Sequence, residues 1–196
     1  MGFNMDDFQF YVQTGLFHVL DLKAYDHILF LLVLTIIYQY KDWKKVLWLV
    51  TFFTLGHTFT LLLSVYQILT FNMAIVEFLI PLTIFLTALL NILFQKKPKI
   101  TMTANIWLAF IFGLIHGVGF SSYFHLMVGK SAAKLIPLLE FALGIEAAQI
   151  VIVIITLFLG LVFQNVFKVS KRDWILIVSS LVAGITIPMM IERVFW

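Results

Sequence analysis

Six nearly unbroken apolar stretches alternate with short polar loops along the chain, at roughly 24–40, 46–69, 73–95, 104–127, 135–163 and 174–195. Each is close to or above the about 17–25 residues with which an α-helix crosses a bilayer. Backbone polar groups in lipid must be satisfied within the segment, so runs this apolar predict helices. The pattern therefore predicts an all-α, polytopic membrane helical bundle with six transmembrane helices. The first stretch is the shortest. Ahead of it, residues 6–22 mix Phe8, Phe10, Tyr11, Leu16, Phe17, Val19 and Leu20 with Asp6, Asp7, Gln13, His18 and Asp21. That mixture predicts an amphipathic or re-entrant helix at the interface, or the first part of a seventh helix. The longest polar loops, 96–103 and 168–173, are too short to fold alone, so residues 1–196 read as a single transmembrane domain.

Composition agrees with the pattern: 62% of the 196 residues are hydrophobic and 12% charged, too little polar surface to dress a soluble globule of this size. The opening MGFNMDDFQF has two aspartates and no Lys or Arg, the wrong charge for the start of a cleavable secretory signal, so the N-terminus is expected to be retained. The thirteen basic residues divide unevenly. Lys41, Lys44, Lys45, Lys96, Lys97, Lys99, Lys168, Lys171 and Arg172 fall in the loops after spans one, three and five. Only Lys23, Lys130, Lys134 and Arg193 fall on the other side. By the positive-inside rule, both termini are expected outside. Trp43, Trp48, Trp107 and Trp174 adjoin the basic loops as an aromatic belt would, and Trp196 marks the other face. The basic excess is thus explained by membrane orientation, and nothing in the chain signals a nucleic-acid partner.

A charge-prone side chain at a helix centre costs roughly 2.5–3.5 kcal/mol on insertion scales, so those that persist have a task or a partner. Asp26, His27, His57, Glu77, His116 and Glu146 lie within the apolar spans, and none has an obvious basic partner there. His57 and His116 fall near the middles of spans two and four; Asp26, His27 and Glu77 fall near the outer surface. The pattern predicts an outward-open polar funnel with a hydrophobic floor. Helical phase puts Glu146 with Gln149 on one face, and Glu77, Pro81, Ile84, Ala88 and Asn91 along one stripe. Thr54 and Ser64 share a face with His57, offering hydroxyls able to hydrogen-bond an imidazole or backbone. The glycines of Gly113-Leu114-Ile115-His116-Gly117-Val118-Gly119 let a helix or ligand approach closely, which reads as an accessible histidine.

Zero cysteines exclude disulfides and thiolate metal sites. Imidazole and carboxylate without thiolate suit Ni, Zn, Fe, Mn or Cu. The bland reading is that each polar group only holds helices together, but several on separate helices at similar depth favour a shared site. His18 is expected outside the hydrocarbon, on a stretch that folds over the funnel mouth. His125, Glu140, Asp173, Glu192 and Arg193 read as interfacial or solvated, and the 21 phenylalanines as lipid-facing bulk.

Gly15-Leu16-Phe17-His18, Tyr25-Asp26-His27-Ile28-Leu29-Phe30, Val50-Thr51-Phe52-Phe53-Thr54-Leu55-Gly56-His57-Thr58-Phe59-Thr60-Leu61, Val76-Glu77, Asn91, Phe112 to Phe120 and Leu143-Gly144-Ile145-Glu146 occur in order on separate spans. Together they resemble the HupE/UreJ family of small bacterial membrane proteins, over about residues 10–155. The resemblance implies a permease for nickel or a related divalent metal, with Zn or Co as alternatives, in the bacterial inner membrane. Its implied metal ligands are His18, Asp26, His27, His57, His116 and Glu146, with Glu77, Asn91 and Gln149 along the path. The implied partners are the lipid bilayer and the ion; a homo-oligomer is compatible with the sequence.

A rival from another class is an intramembrane Zn hydrolase using the same cluster, with Glu146 or Glu77 as general base, although no His-Glu-x-x-His signature is present. A third is an assembly subunit whose polar core only fixes packing. Polar residues continuing to the inner surface would favour transport, and Asn91 is the one candidate on span three.

Overall fold

The computed structural model describes residues 5–69, 71–94, 101–129 and 134–196. Lys96, Lys97, Lys99 and Lys130 of the charge pattern lie outside the described residues. Among the described residues seven α-helices are formed: α1 Met5–Leu20, α2 Asp26–Thr35, α3 Trp43–Val65, α4 Met73–Leu93, α5 Met102–Val128, α6 Leu135–Asn165 and α7 Lys171–Glu192. A 3₁₀ turn, Tyr40–Asp42, leads into α3. The chain is an all-α helical bundle, and α3 to α7 are long and apolar enough to cross a membrane.

The first expected span behaves differently from the other five. Within 24–40 only Asp26–Thr35 is helical, and ten residues at 1.5 Å each reach about 15 Å, half a hydrocarbon core. The preceding helix stops because the Asp21 side chain accepts from the Lys23 backbone N–H at 2.8 Å, an aspartate turn that competes with helix continuation. The amphipathic segment is therefore a helix in its own right, α1, packed along α6.

Elsewhere the helix starts follow local chemistry. Asn72, Thr101 and Ser170 cap α4, α5 and α7, each side chain accepting a backbone N–H of the first turn. Contacts at the helix ends set the arrangement. Lys134, before α6, donates to the Val65 carbonyl at the end of α3, while Asn105 in the first turn of α5 donates to the Tyr38 hydroxyl beyond α2. Tyr38, Lys45 and Arg172 thus gather at one end of the bundle, called the basic end below, where all three line one cavity.

Two helix pairs approach backbone to backbone. A methyl group on Gly56 would fall 2.2 Å from the Phe110 carbonyl oxygen, and one on Gly113 would fall 2.2 Å from that of Phe53. One turn on, Gly117 faces the His57 carbonyl in the same way, so α3 and α5 run side by side in the same direction. The α1/α6 pair repeats the reciprocal contact: Gly15 meets Phe141 and Ile145, and Gly144 meets Val12 and Leu16. Without Cβ atoms the helices close to a distance at which main-chain atoms touch. The remaining long helices, α4 and α7, pack against each other, and α2 lies in contact with both α4 and α6.

Several aromatic expectations change. Trp43, Trp48 and Trp107 are exposed as a belt requires, but Trp174 is buried and stacks on Phe163 with ring centroids 4.8 Å apart. Phe30, Phe53, Phe124 and Phe141 are fully buried, so part of the phenylalanine content is core and not lipid-facing bulk.

Candidate metal centre

The helix breaks and glycine contacts decide where the histidines go. His18 sits in the last turn of α1, and the turn at 21–25 brings the start of α2 back beside it, placing the His18 and His27 rings edge to face with centroids 4.6 Å apart. His57 follows Gly56, the residue at which α5 touches α3, so its ring lies near that seam. Its centroid is 5.8 Å from those of both His18 and His27. One nitrogen from each of His18, His27 and His57 falls within 4.8 Å of the others. A tetrahedral ion with bonds near 2.1 Å would hold its ligand atoms about 3.4 Å apart, so rotations of the rings and small helix shifts suffice to close the set.

His116, on α5, stands beside this trio, its ring centroid 5.3 Å from that of His27. Its Nε2 lies 3.2 Å from the Thr83 hydroxyl of α4. Around the four imidazoles is an aromatic wall. Phe120 approaches His18 to 3.9 Å between centroids and stacks on Phe141, while Phe30 and Phe53 stack on each other against His116.

Several of the ring nitrogens have no hydrogen-bond partner. His18 Nε2, His27 Nε2, both ring nitrogens of His57 and Nδ1 of His116 are buried without a hydrogen bond. A buried polar atom left unsatisfied costs about 1–3 kcal/mol, and several together among phenylalanines form a set that a bound cation would satisfy. Neutral imidazoles are borderline ligands, suited to Ni, Co, Zn or Cu and poorly matched to Mg or Ca.

The carboxylates expected in the same site are placed elsewhere. Asp26 pairs with Arg193 at 3.1 Å, so it does have a basic partner, and Arg193 is not a solvated terminal charge. Glu146 accepts from the Thr51 hydroxyl, and three residues on, Gln149 accepts from Thr54 at 3.0 Å. Their shared face points at α3. Glu77 is exposed. Among the described residues the cluster able to hold an ion is therefore all imidazole. Gln149 is fully buried and its Nε2 has no partner, making it a polar neighbour of α3. Asn91 donates to the Val33 carbonyl at 2.7 Å. His125 is half-buried and outside the cluster, whereas Glu140, expected at the surface, is 8% exposed in the α6 wall that receives α1.

One further reading, the accessibility of His116, is corrected by what surrounds the cluster. The hydroxyl that meets an imidazole is that of Thr83, while Thr54 takes the backbone alternative, at the Val50 carbonyl, and also meets Gln149. The glycines around His116 admit helix α3 and close the wall, leaving His116 1% exposed. A cavity of about 620 Å³ opens at the basic end. Tyr38, Lys45, Thr87, Asn91, Asn105 and Arg172 are among the polar groups that line it, so Asn91 is not alone there.

Sequence reasoning did not single out Thr83, Phe120, Phe141 or the Asp26–Arg193 pair. Thr83, Thr87 and Asn91 were visible at four-residue spacing on one helical face, and Phe120 one turn after His116. The ion pair joins residues 167 positions apart and leaves no local trace.

No curated protein and no solved structure matches the chain. The family model described as HupE / UreJ protein matches residues 3–193, nearly the whole length, and the chain belongs to that family.

Proposed function

We propose that the protein is a permease for nickel or a related divalent transition metal ion, with cobalt and zinc as alternatives. The reading rests on the family, associated with nickel and cobalt transport, and on one observation: one nitrogen each of His18, His27 and His57 lies within 4.8 Å of the others, in a cluster where His18 Nε2, His27 Nε2 and both nitrogens of His57 are buried without a hydrogen bond. Three neutral imidazoles hold a borderline cation without adding charge, which favours capture that remains reversible. Glu77, an exposed acidic group one turn into α4, serves as cation-collecting charge on the approach, while Asp26, paired with Arg193, holds the start of α2 and with it His27. Gln149 and Glu146 brace α6 against α3 through their threonine partners. With the basic end inside, both termini lie outside a bacterial inner membrane.

The hydrolase reading needs a general base beside the metal. Glu146 is engaged by Thr51, Glu77 is exposed, and neither joins the trio, so the geometry supports carriage over catalysis. The test is purification without chelator followed by metal analysis, together with uptake into reconstituted vesicles. Bound Ni²⁺, Co²⁺ or Zn²⁺ near one per chain, with uptake above empty vesicles that His57→Ala abolishes, is the expected result. Bound metal with no uptake of any of these ions would replace the permease reading with the enzyme one.

A further inference from the structure

The α4 helix carries Thr83, Thr87 and Asn91 at i, i+4 and i+8, one below another on a single face. Thr83 touches the histidine cluster. Its hydroxyl has one proton, donated to the Ile80 carbonyl at 2.8 Å. The contact with His116 Nε2 at 3.2 Å is then an imidazole N–H donating to the threonine oxygen. That bond fixes the tautomer, leaving the lone pair on Nδ1, which is buried and has no protein partner. A histidine beside His27 thus keeps one nitrogen free for an ion.

One turn along, about 5.4 Å, Thr87 donates to the Thr83 carbonyl and lines the 620 Å³ cavity at the basic end. Asn91 lines the same cavity. Its amide N–H groups are committed to the Val33 carbonyl and the Ser179 hydroxyl, so the carbonyl oxygen is what it can offer a cation. A single helical turn therefore separates the histidines from a space that reaches the basic end. At its rim Lys45 is paired with Asp42 at 2.7 Å, which removes part of the positive charge an emerging cation would meet.

We propose that His116, held by Thr83, is the second station for the ion, and that Thr83, Thr87 and Asn91 form its passage from the His18–His27–His57 site into the cavity at the basic end. This rests on the permease reading and names its route. Thr83 is a positioning residue in this scheme: it acts through His116 and leaves the first site untouched.

The chain has no cysteine, so a single introduced thiol is a unique label. In vesicles with the basic end facing out, a membrane-impermeant methanethiosulfonate should modify Thr87→Cys and Asn91→Cys and cut Ni²⁺ transport about tenfold or more, with Ni²⁺ bound by the purified protein unchanged. Thr83→Val should lower transport by a similar factor while keeping bound metal and thermal midpoint, and Thr83→Ser should restore it. Either cysteine refusing the reagent, modification without loss of transport, or a Thr83→Val protein as fast as the parent would overturn the route while the permease reading stood. An unmodified protein that neither binds nor moves Ni²⁺, Co²⁺ or Zn²⁺ would overturn both.

Discussion

The guanidinium of Arg193, one residue beyond α7, lies 3.1 Å from the carboxylate of Asp26, the first residue of α2. Both side chains are largely covered, and the pair anchors the short helix that carries His27. Removing either partner leaves a partly buried charge uncompensated. Arg193→Gln and Asp26→Asn are each expected to lower stability by about 1–2 kcal/mol. The double variant should be little worse than either single one. Thermal unfolding in detergent across the cycle is the measurement, and additive losses would show that the pair is not coupled.

The glycine seams make a sharper forecast. A methyl group at Gly117 meets both the His57 carbonyl and the Thr60 hydroxyl at 2.3 Å, so Gly117→Ala must push α3 from α5 and carry His57 away from the trio. Stability should fall by about 1–3 kcal/mol and metal affinity should drop with it. Gly184 of α7 has open space around it, and Gly184→Ala should be neutral or stabilising by a few tenths of a kcal/mol, up to about 1. Matching behaviour of the two variants would refute the close-packing account.

The histidines should divide by role. His18→Ala, His27→Ala and His57→Ala are each expected to weaken Ni²⁺ binding by at least about tenfold, read by titration calorimetry on purified protein. His116→Ala should retain binding at the trio and lose transport, while His125→Ala should change neither. Full binding in His18→Ala would remove α1 from the site.

Charge at the basic end gives a test that depends on ionic strength. Arg172 lines the cavity mouth, where its positive charge opposes a departing cation. Arg172→Gln should speed release of Ni²⁺ in stopped-flow efflux at low salt, by a few fold, and the advantage should vanish once added salt shortens the Debye length to about 3 Å. A salt-independent difference would point to altered packing instead of electrostatics.

The long spans were legible because lipid imposes a length and a composition on each: five appear within a few residues of the apolar runs, as with 73–95 against Met73–Leu93. His27, His57 and His116 were legible for the complementary reason, that imidazoles deep in apolar runs need a task. His18 was harder. It lies on a mixed helix whose burial comes from Gly15 and Gly144 meeting another backbone, a long-range contact with no periodic signal. Glu146 misled because phase within α6 identifies a polar face but not the neighbour it meets, here Thr51 of α3. The placement of the cavity was likewise hidden: the ends of α2, α4, α5 and α7 jointly leave the space, and no one segment encodes it.

Backbone-to-backbone seams have a mechanical meaning. Where main chains touch with no side chain between them, there is nothing to repack, and each glycine-locked couple, α1 with α6 and α3 with α5, can travel only as a single beam. His18 rides on one beam, His57 and His116 on the other, and His27 on the half-length helix strung between Arg193 and the aromatic wall. The histidines therefore stand where the two beams meet, and any pivoting of one against the other is felt there first, as a change in the distance between His18 and His57.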